Sequence, residues 1–490
     1  MKLTVNGNIN EYYVQTLCLL FFPGERFSKT ENEPNDAPCV EVSVAKEENA
    51  AKATVKITFL GKTVVKTHGE NAEDSLVSDA ERRAVGKAFF EAGKEATGIE
   101  PQWGILTGVR PSKIALSKLF NGENEEDVIS DLERELFVSP KKAALVTSIA
   151  SVEKKIIAKT NERSCSVYVS IPFCPTRCSY CSFVSVASKK LLSMLDVYLD
   201  RLLCDIDDCF DTINALGLKV STLYVGGGTP TTLNEECLKR LMNKLTSRVD
   251  VSSLEEFTVE AGRPDTISKE KLDILVGCGV TRVSVNPQTL SDDVLMHIGR
   301  SHTTDDFFRA FEIAKKSGIK HINTDIIAGL PTDTLKGFSA TVDKIISLRP
   351  EDITVHTLCI KSAADLAPVM RRKSHTGNVS EFVDYSQESL KKSGYIPYYI
   401  YRQKNTVDNL ENVGYSLPVA EGLYNIYMME EIHSIFAVGA GAVSKFVSRS
   451  GEHIERVFDY KYPYEYLSDT DRIRIADKKN KALKFYNEIW

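Results

Sequence analysis

The stretch Tyr168-Val169-Ser170-Ile171-Pro172-Phe173-Cys174-Pro175-Thr176-Arg177-Cys178-Ser179-Tyr180-Cys181 reads as a strand that runs straight into a cysteine loop. Aromatic and β-branched residues fit a pleated surface. The cysteines follow a C-x3-C-x2-C spacing, with no fourth cysteine in the loop. Three thiolates can bind three irons of a cubane cluster and leave the fourth iron open. An open coordination position separates a reactive metal site from a structural one. A zinc knuckle would show paired C-x2-C units and a fourth ligand, so zinc fits the triplet poorly. Cys174, Cys178 and Cys181 are therefore candidate ligands of a 4Fe–4S cluster.

Outward from this loop the chain alternates regularly. Apolar, β-branched runs at Ser166–Ile171, Thr222–Val225, Glu256–Glu260, Arg282–Val285, Ile322–Ile327 and Ile353–Leu358 read as strands. Amphipathic stretches at Ser193–Ala215, Glu235–Ser247, Lys269–Gly277, Thr304–Ser317 and Thr334–Leu348 read as the helices between them. Strand, crossover helix, strand, repeated, specifies a parallel sheet with right-handed crossovers. Six such units predict an α/β fold, a partial (β/α)6 barrel, over residues 163–364.

Barrel chemistry sits in loops leaving the carboxyl ends of the strands, and the polar residues obey that rule. Gly226-Gly227-Gly228-Thr229-Pro230 follows the second strand, where glycines let backbone approach a ligand closely. The third strand ends in Glu260, the fourth is followed by Asn286-Pro287-Gln288, and the fifth carries Asn323 and Asp325. Each alone could be a helix cap or a turn residue. Together they ring one mouth and suit the amine, ribose hydroxyls and adenine of a single ligand.

The flanks are different in kind. Residues 1–162 begin with strand-like runs (Lys2–Val5, Val40–Val44, Ala53–Phe59, Thr63–His68) and continue as helices, the first over Asp74–Thr97. Strands followed by helices predict a separate α+β domain. The polar segment Ile156–Arg163 reads as a linker. Residues 365–490, with a helix at Asn378–Ser393, an aromatic strand at Tyr395–Tyr401 and the turn Gly439-Ala440-Gly441-Ala442, predict a smaller C-terminal domain or lid.

Composition bounds the partners. A net charge of -6 over 490 residues gives no general attraction to a phosphate backbone, so nucleic acid is a poor partner. No signal-peptide core opens the sequence, and the run Leu17–Pro23 is too short to span a bilayer, so a cytoplasmic location is expected. The 11 cysteines are scattered rather than framed as disulfides. Cys204, Cys209, Cys237 and Cys278 lie in helical patterns, where a small buried hydrophobe is the ordinary reading.

On these residues the chain resembles the oxygen-independent coproporphyrinogen III oxidase group of radical S-adenosylmethionine (SAM) proteins. That group includes the dehydrogenase HemN, the heme chaperone HemW and the branch called HemZ. The resembling segments are Tyr168–Cys181, Gly226–Pro230, Phe257–Glu260, Arg282–Gln288, Ile298–His302 and Asn323–Pro331. The stretches Trp103–Pro111, Glu260–Asp265 and Pro397–Lys404 are similar to the HemZ branch in particular.

The resemblance implies a radical SAM barrel whose open iron chelates SAM, so that electron transfer from the cluster releases a 5′-deoxyadenosyl radical. It implies that Tyr168, Gly227 and Glu260 serve this SAM, with Tyr168 and Glu260 as candidate catalytic residues. Tyr180, Gly228, Thr229, Gln288, Arg300 and Asp325 would line a neighbouring nucleotide site, which in the dehydrogenase holds a second SAM. Two positions depart from the dehydrogenase, which has histidine at Ser170 and a further cysteine at Phe183.

The implied reaction is oxidative decarboxylation of two propionates of coproporphyrinogen III to vinyl groups, giving protoporphyrinogen IX without oxygen, a step of heme biosynthesis. The implied partners are a tetrapyrrole with four carboxylates and an electron donor of flavodoxin or ferredoxin type. Arg402 and Lys404, beside Tyr398, Tyr399 and Tyr401, are candidate carboxylate-binding cations, with Lys361 and Arg263 behind them. Two alternatives stand. One is a heme or porphyrin chaperone of the same family, for which His433 and His453 are the late histidines. The other is a radical SAM enzyme acting on a different substrate.

Overall fold

Strands of β-branched residues buried on both faces belong in a parallel sheet covered by helices, and this is how the middle of the chain is built. The structure is a computed structural model, and it describes residues 1–27, 37–46, 48–71, 77–181, 187, 192–359, 378–403 and 406–490. The chain divides into two compact units, residues 1–151 and residues 152–490.

The first unit contains β1 (Lys2–Asn6), α1 (Glu11–Phe21), β2 (Cys39–Lys46), β3 (Ala50–Phe59), β4 (Lys62–Asn71), α2 (Val77–Thr97), α3 (Ser112–Phe120) and α4 (Glu125–Leu136), followed by α5 (Pro140–Ile157). Its sheet runs in the order β1-β2-β3-β4. Alternate residues of β3 (Ala53, Val55, Ile57) share a core with Val14, Leu17 and Phe21 of α1 and with Val85, Ala88 and Phe89 of α2. The α+β character is as expected. Helix α1 is an addition, started by Asn10, whose side chain accepts the Tyr12 N–H.

The second unit carries β5 (Ser164–Ile171), α6 (Leu195–Ala215), β6 (Lys219–Gly227), α7 (Glu235–Arg248), β7 (Glu256–Glu260), α8 (Lys269–Gly277), β8 (Arg282–Ser284), α9 (Asp292–His297), α10 (Thr304–Lys316), β9 (His321–Ala328), α11 (Leu335–Leu348) and β10 (Asp352–Thr357). Strands β5 to β10 pair in sequence order, every neighbour parallel. This is the predicted six-fold repeat, in an open sheet.

The C-terminal region does not stand apart from that sheet. Its strands β11 (Ile396–Arg402), β12 (Glu411–Ser416), β13 (Ser434–Val438), β14 (Val443–Val447) and β15 (Ile454–Phe458) extend it at both ends. The full order is β11-β12-β10-β9-β8-β7-β6-β5-β13-β14-β15. Helices α12 (Val379–Lys392), α13 (Leu423–Met429), α14 (Pro463–Ser468) and α15 (Ile473–Glu488) complete it. The region 365–490, read from sequence as a smaller domain or lid, thus contributes its described strands, from Ile396 onward, to the same compact unit as the central region.

Candidate active site at the strand ends

The carboxyl ends of β5, β6 and β7 meet in one place. Gly228 donates its N–H to the Ile171 carbonyl (2.8 Å) and Thr229 donates to the Phe173 carbonyl (2.8 Å), which zips the glycine run onto the start of the cysteine loop. Gly227 has a φ of +112°, a conformation that favours glycine. A Cβ on Gly228 would stand 2.6–2.9 Å from the Phe173 backbone. The glycines are therefore required by close packing of the protein on itself.

Glu260, at the end of β7, reaches across to the same point. Its carboxylate accepts the Tyr224 hydroxyl at 2.7 Å and the Gly227 N–H at 3.2 Å. Tyr224 stacks on Tyr424 at 4.5 Å, and Tyr168 lies 6.0 Å and 6.3 Å from those rings. Burial pushes the Glu260 carboxyl up to about 7, helped by Asp325 and opposed by its two hydrogen bonds. The Tyr168 hydroxyl is pushed well above its ordinary value by burial and by Glu260. No cation among the described residues pairs with Glu260.

The cysteine loop is held from outside by two guanidiniums. Arg263, buried in the loop after β7, donates to Thr176 Oγ1 (2.9 Å), Ser301 Oγ (2.8 Å) and both oxygens of Asp265 (3.0 and 3.1 Å). Its remaining arm reaches the Thr176 carbonyl (3.4 Å) and Cys178 Sγ (3.7 Å). Arg300 donates to the Gly262 carbonyl and to the Tyr180 hydroxyl, each at 3.2 Å. Cys174 Sγ lies 3.4 Å from Thr229 Oγ1. The three cysteines are not disulfide-bonded. Among the described residues, no three Cys, His, Asp or Glu side chains are gathered closely enough to hold a metal ion.

The fourth and fifth strands supply the far side. Gln288, left-handed at φ +68°, bridges to β9: its N–H donates to the Asp325 carbonyl (3.1 Å) and its carbonyl accepts from Ile327 (2.9 Å). Its side-chain Oε1 is buried with no partner among the described residues, as is Arg300 Nε. Asp325 accepts the amide groups of Asn286 (2.7 Å) and Asn323 (2.8 Å). Nε2 of His356 lies 3.7 Å from it, and the Tyr401 hydroxyl lies 3.2 Å from His356 Nδ1. Burial raises the Asp325 carboxyl, but His356 and the amide and hydroxyl donors around it prevail and hold it below the carboxylate range. An Asp325–His356–Tyr401 chain thus links β9, β10 and β11.

Tyr168, Gly227 and Glu260 come together as one group, Thr229 meets Cys174, Arg300 meets Tyr180, and Gln288 meets Asp325. The candidate substrate cations do not gather. Arg402 follows Tyr401 on β11, so it points to the opposite face of the sheet, buried and donating to the Asn409 carbonyl (3.3 Å). Arg263 serves the cysteine loop. Lys361, Lys404 and Phe183 lie outside the described residues. Ser170, where the dehydrogenase has histidine, is buried and donates to the Ala440 carbonyl (2.8 Å) in the Gly439–Ala442 turn. His433 is buried at the opposite end of β13, 3.0 Å from Ser166 Oγ, and burial pushes its imidazole down to about 3. Tyr224, Tyr424 and His356 belong to the site without having been singled out. For Tyr224 the signal was its place two residues before the glycine run. For Tyr424 there was none.

The radical SAM superfamily pattern matches residues 168–345. The "oxygen-independent coproporphyrinogen-III oxidase-like protein HemZ" of Bacillus subtilis (strain 168) is 33% identical over 485 residues, 97% of this chain and 95% of HemZ. The chain belongs to the radical SAM family of HemZ, HemW and HemN. The "heme chaperone HemW" of the same organism is 40% identical over 198 residues, covering 40% of this chain and 51% of HemW. The solved structure of HemN from Escherichia coli matches with a TM-score of 0.50 at 23% identity, covering 66% of this chain and 73% of that one. That likeness shows the shared fold. Proteins of the radical SAM superfamily use a 4Fe–4S cluster and SAM. The residues suit both groups. Three soft thiols on one short loop, with a guanidinium against one of them, fit an anionic cluster. A half-buried carboxylate without a cation among the described residues, and the orphaned atoms of Gln288 and Arg300, fit a ligand carrying an amine and polar edges.

Proposed function

We propose that this chain is a radical SAM enzyme that oxidatively decarboxylates the propionates of coproporphyrinogen III to vinyl groups without oxygen. The observation that carries the radical chemistry is Glu260, a half-buried carboxylate with no cationic partner among the described residues, two strands from the strand that leads into the loop of Cys174, Cys178 and Cys181. In this reading the three cysteines ligate the cluster, and Tyr168, Gly227 and Glu260 hold the SAM bound to it. Bound together, cluster and SAM supply a carbon radical able to take a hydrogen atom from an unactivated carbon.

The protein's own part is to bind, orient and keep water out. The Glu260 carboxylate would accept a hydrogen bond from the SAM amine, and the stack of Tyr168, Tyr224 and Tyr424 lies against Glu260 through the Tyr224 hydroxyl. Gly228, Thr229, Gln288, Arg300, Tyr180 and Asp325 line the adjacent nucleotide site. Beyond them, the His356–Tyr401 pair offers polar atoms to a propionate. Loss of the β-hydrogen, of carbon dioxide and of one electron to an external acceptor then leaves the vinyl group. A flavodoxin- or ferredoxin-type donor would supply the reducing electron.

The test is anaerobic incubation of cluster-loaded protein with SAM, a reductant and coproporphyrinogen III. Formation of 5′-deoxyadenosine with a vinyl-bearing product is expected. Neither product, from protein with an intact cluster, would overturn the reading.

Similarity to HemW over 40% of this chain favours a second reading, a heme or porphyrin carrier. Burial of His433 weighs against that histidine as a heme ligand. Tight heme binding with a Soret band that depends on His433 or His453, alongside failure of the incubation above, would favour the carrier. Deoxyadenosine formed only with another metabolite would point to a different substrate.

A further inference from the structure

We infer that Arg263 is a positioning residue for the cluster, its guanidinium donating to the Cys178 thiolate and easing one-electron reduction of the cluster. The inference rests on the reading of Cys178 as a cluster ligand. Arg263 is 3% exposed, and its donors are nearly all assigned. One edge forks onto Asp265 (3.0 and 3.1 Å), which fixes the plane of the group. Ser301 Oγ, which accepts from Arg263 (2.8 Å), donates in turn to Asp265 (2.9 Å). The opposite edge grips Thr176 through its hydroxyl (2.9 Å) and its carbonyl (3.4 Å), two residues before Cys178. This leaves the same arm directed at Cys178 Sγ, 3.7 Å away.

A buried cation held this rigidly acts on whatever charge the sulfur carries. Hydrogen bonds to the sulfurs and the net charge around an iron–sulfur cluster set its reduction potential. An N–H directed at a ligand sulfur, on a full positive charge, favours the reduced and more negative state. Asp265, bound to the far edge of the guanidinium, opposes that effect in part. Arg300, one strand end away, adds a second cation whose arms are turned to Gly262 and Tyr180 rather than to a cysteine. His302 adds no charge at neutral pH, because burial and the two guanidiniums push its imidazole down to about 4. Of the two cations, Arg263 is the one in contact with a candidate ligand.

A loop strut and a potential-setting cation make different predictions. Full-length protein is reconstituted anaerobically, its iron and sulfide are counted, and the midpoint potential is read by EPR-monitored potentiometry without SAM. Arg263→Gln is expected to make reduction about tenfold less favourable, a negative shift of about 59 mV for one electron. Arg263→Lys keeps the charge and is expected to fall between the two. Asp265→Asn removes the opposing carboxylate and is expected to shift the potential the other way. An unchanged potential in fully loaded Arg263→Gln overturns the inference. Should that variant fail to load, unchanged potentials in Arg263→Lys and Asp265→Asn overturn it instead. Failure of all three to load reduces Arg263 to a strut and overturns the tuning role. A cluster retained in Cys178→Ala would defeat the underlying reading, an outcome separate from any Arg263 result.

Discussion

Glu260 is a carboxylic acid in surroundings that favour its neutral form. Burial lifts it from 4.5 to about 7, so between those values the folded chain keeps a proton that the unfolded chain has released. Its contribution to stability therefore declines as pH rises through that window. Asp352, also raised to about 7 by burial, acts in the same direction. On the proposed reading an N–H donor of SAM favours the ionised form of Glu260, so binding below about pH 7 would expel a proton. SAM affinity, measured calorimetrically on cluster-loaded protein, is expected to rise by up to about tenfold per pH unit below 7 and then to level off. Glu260→Gln is expected to flatten that dependence and to weaken binding by about 1.5–3 kcal/mol. SAM binding that keeps its slope in Glu260→Gln would assign the proton elsewhere. For Cys178→Ala the expectation is simpler: loss of the brown absorbance and of most iron after reconstitution, with the fold retained by circular dichroism. Glu260 and the cysteines were legible in sequence because strand ends and spacing mark them. The rings of Tyr224 and Tyr424 were not, since a stack between residues 200 apart in sequence leaves no local pattern.

At the scale of elements, the strands were read from β-branched runs nearly to their ends, because burial on both faces leaves a continuous apolar signature. Side-chain direction was less legible. The β11–β12 pairing carries an irregularity between Pro397 and Tyr399, so that Tyr398 donates to Asp352 (2.7 Å) while its neighbour Tyr399 lies 3.5 Å from the hydroxyl of Thr354, on the same strand. A bulge of this kind resets the alternation, so Tyr398 joins the face of Tyr399 and Tyr401, while ordinary alternation after Tyr401 turns Arg402 to the other face. The four cysteines expected to be buried also divide: Cys209 and Cys237 are buried, Cys278 is half-buried and Cys204 is exposed. The glycine run was legible, but its reason was partly different, since Gly228 accommodates the Phe173 backbone. Gly228→Ala is accordingly expected to push the cysteine loop outward, costing about 1–3 kcal/mol and lowering cluster occupancy. Denaturant unfolding and iron content check both effects. An alanine variant with wild-type stability and full iron would show that Phe173 moves aside freely.

For the second unit as a whole, the question is what makes a six-stranded parallel repeat and the C-terminal strands fold as one body. Sequence periodicity identifies elements but says nothing of which edge a later strand will join, so the region after residue 364 read as an appendage. In the structure β13 pairs in parallel with β5, the strand that delivers the cysteine loop, and β12 pairs antiparallel with β10. A buried ionic knot joins the same regions. Arg282 of β8 donates to Asp352 of β10 (3.0 Å) and to the carbonyls of Ala420 and Glu421 (2.8 and 3.0 Å). Glu256 of β7 lies 3.5 Å from Arg282 and accepts the Leu423 N–H (2.8 Å) at the start of α13. Removing one partner from such a set leaves uncompensated charge in the interior, which costs more than the knot contributes when intact. Arg282→Met is therefore expected to destabilise the second unit by about 3–5 kcal/mol, read as a lower midpoint in urea. Adding Asp352→Asn to that variant is expected to restore part of the loss, because it neutralises the carboxyl left behind. If the double variant is no more stable than the single, the cost lies in the lost grip on the 420–423 segment rather than in stranded charge. A single variant as stable as the wild type would mean that the strand pairings alone hold the C-terminal region in place.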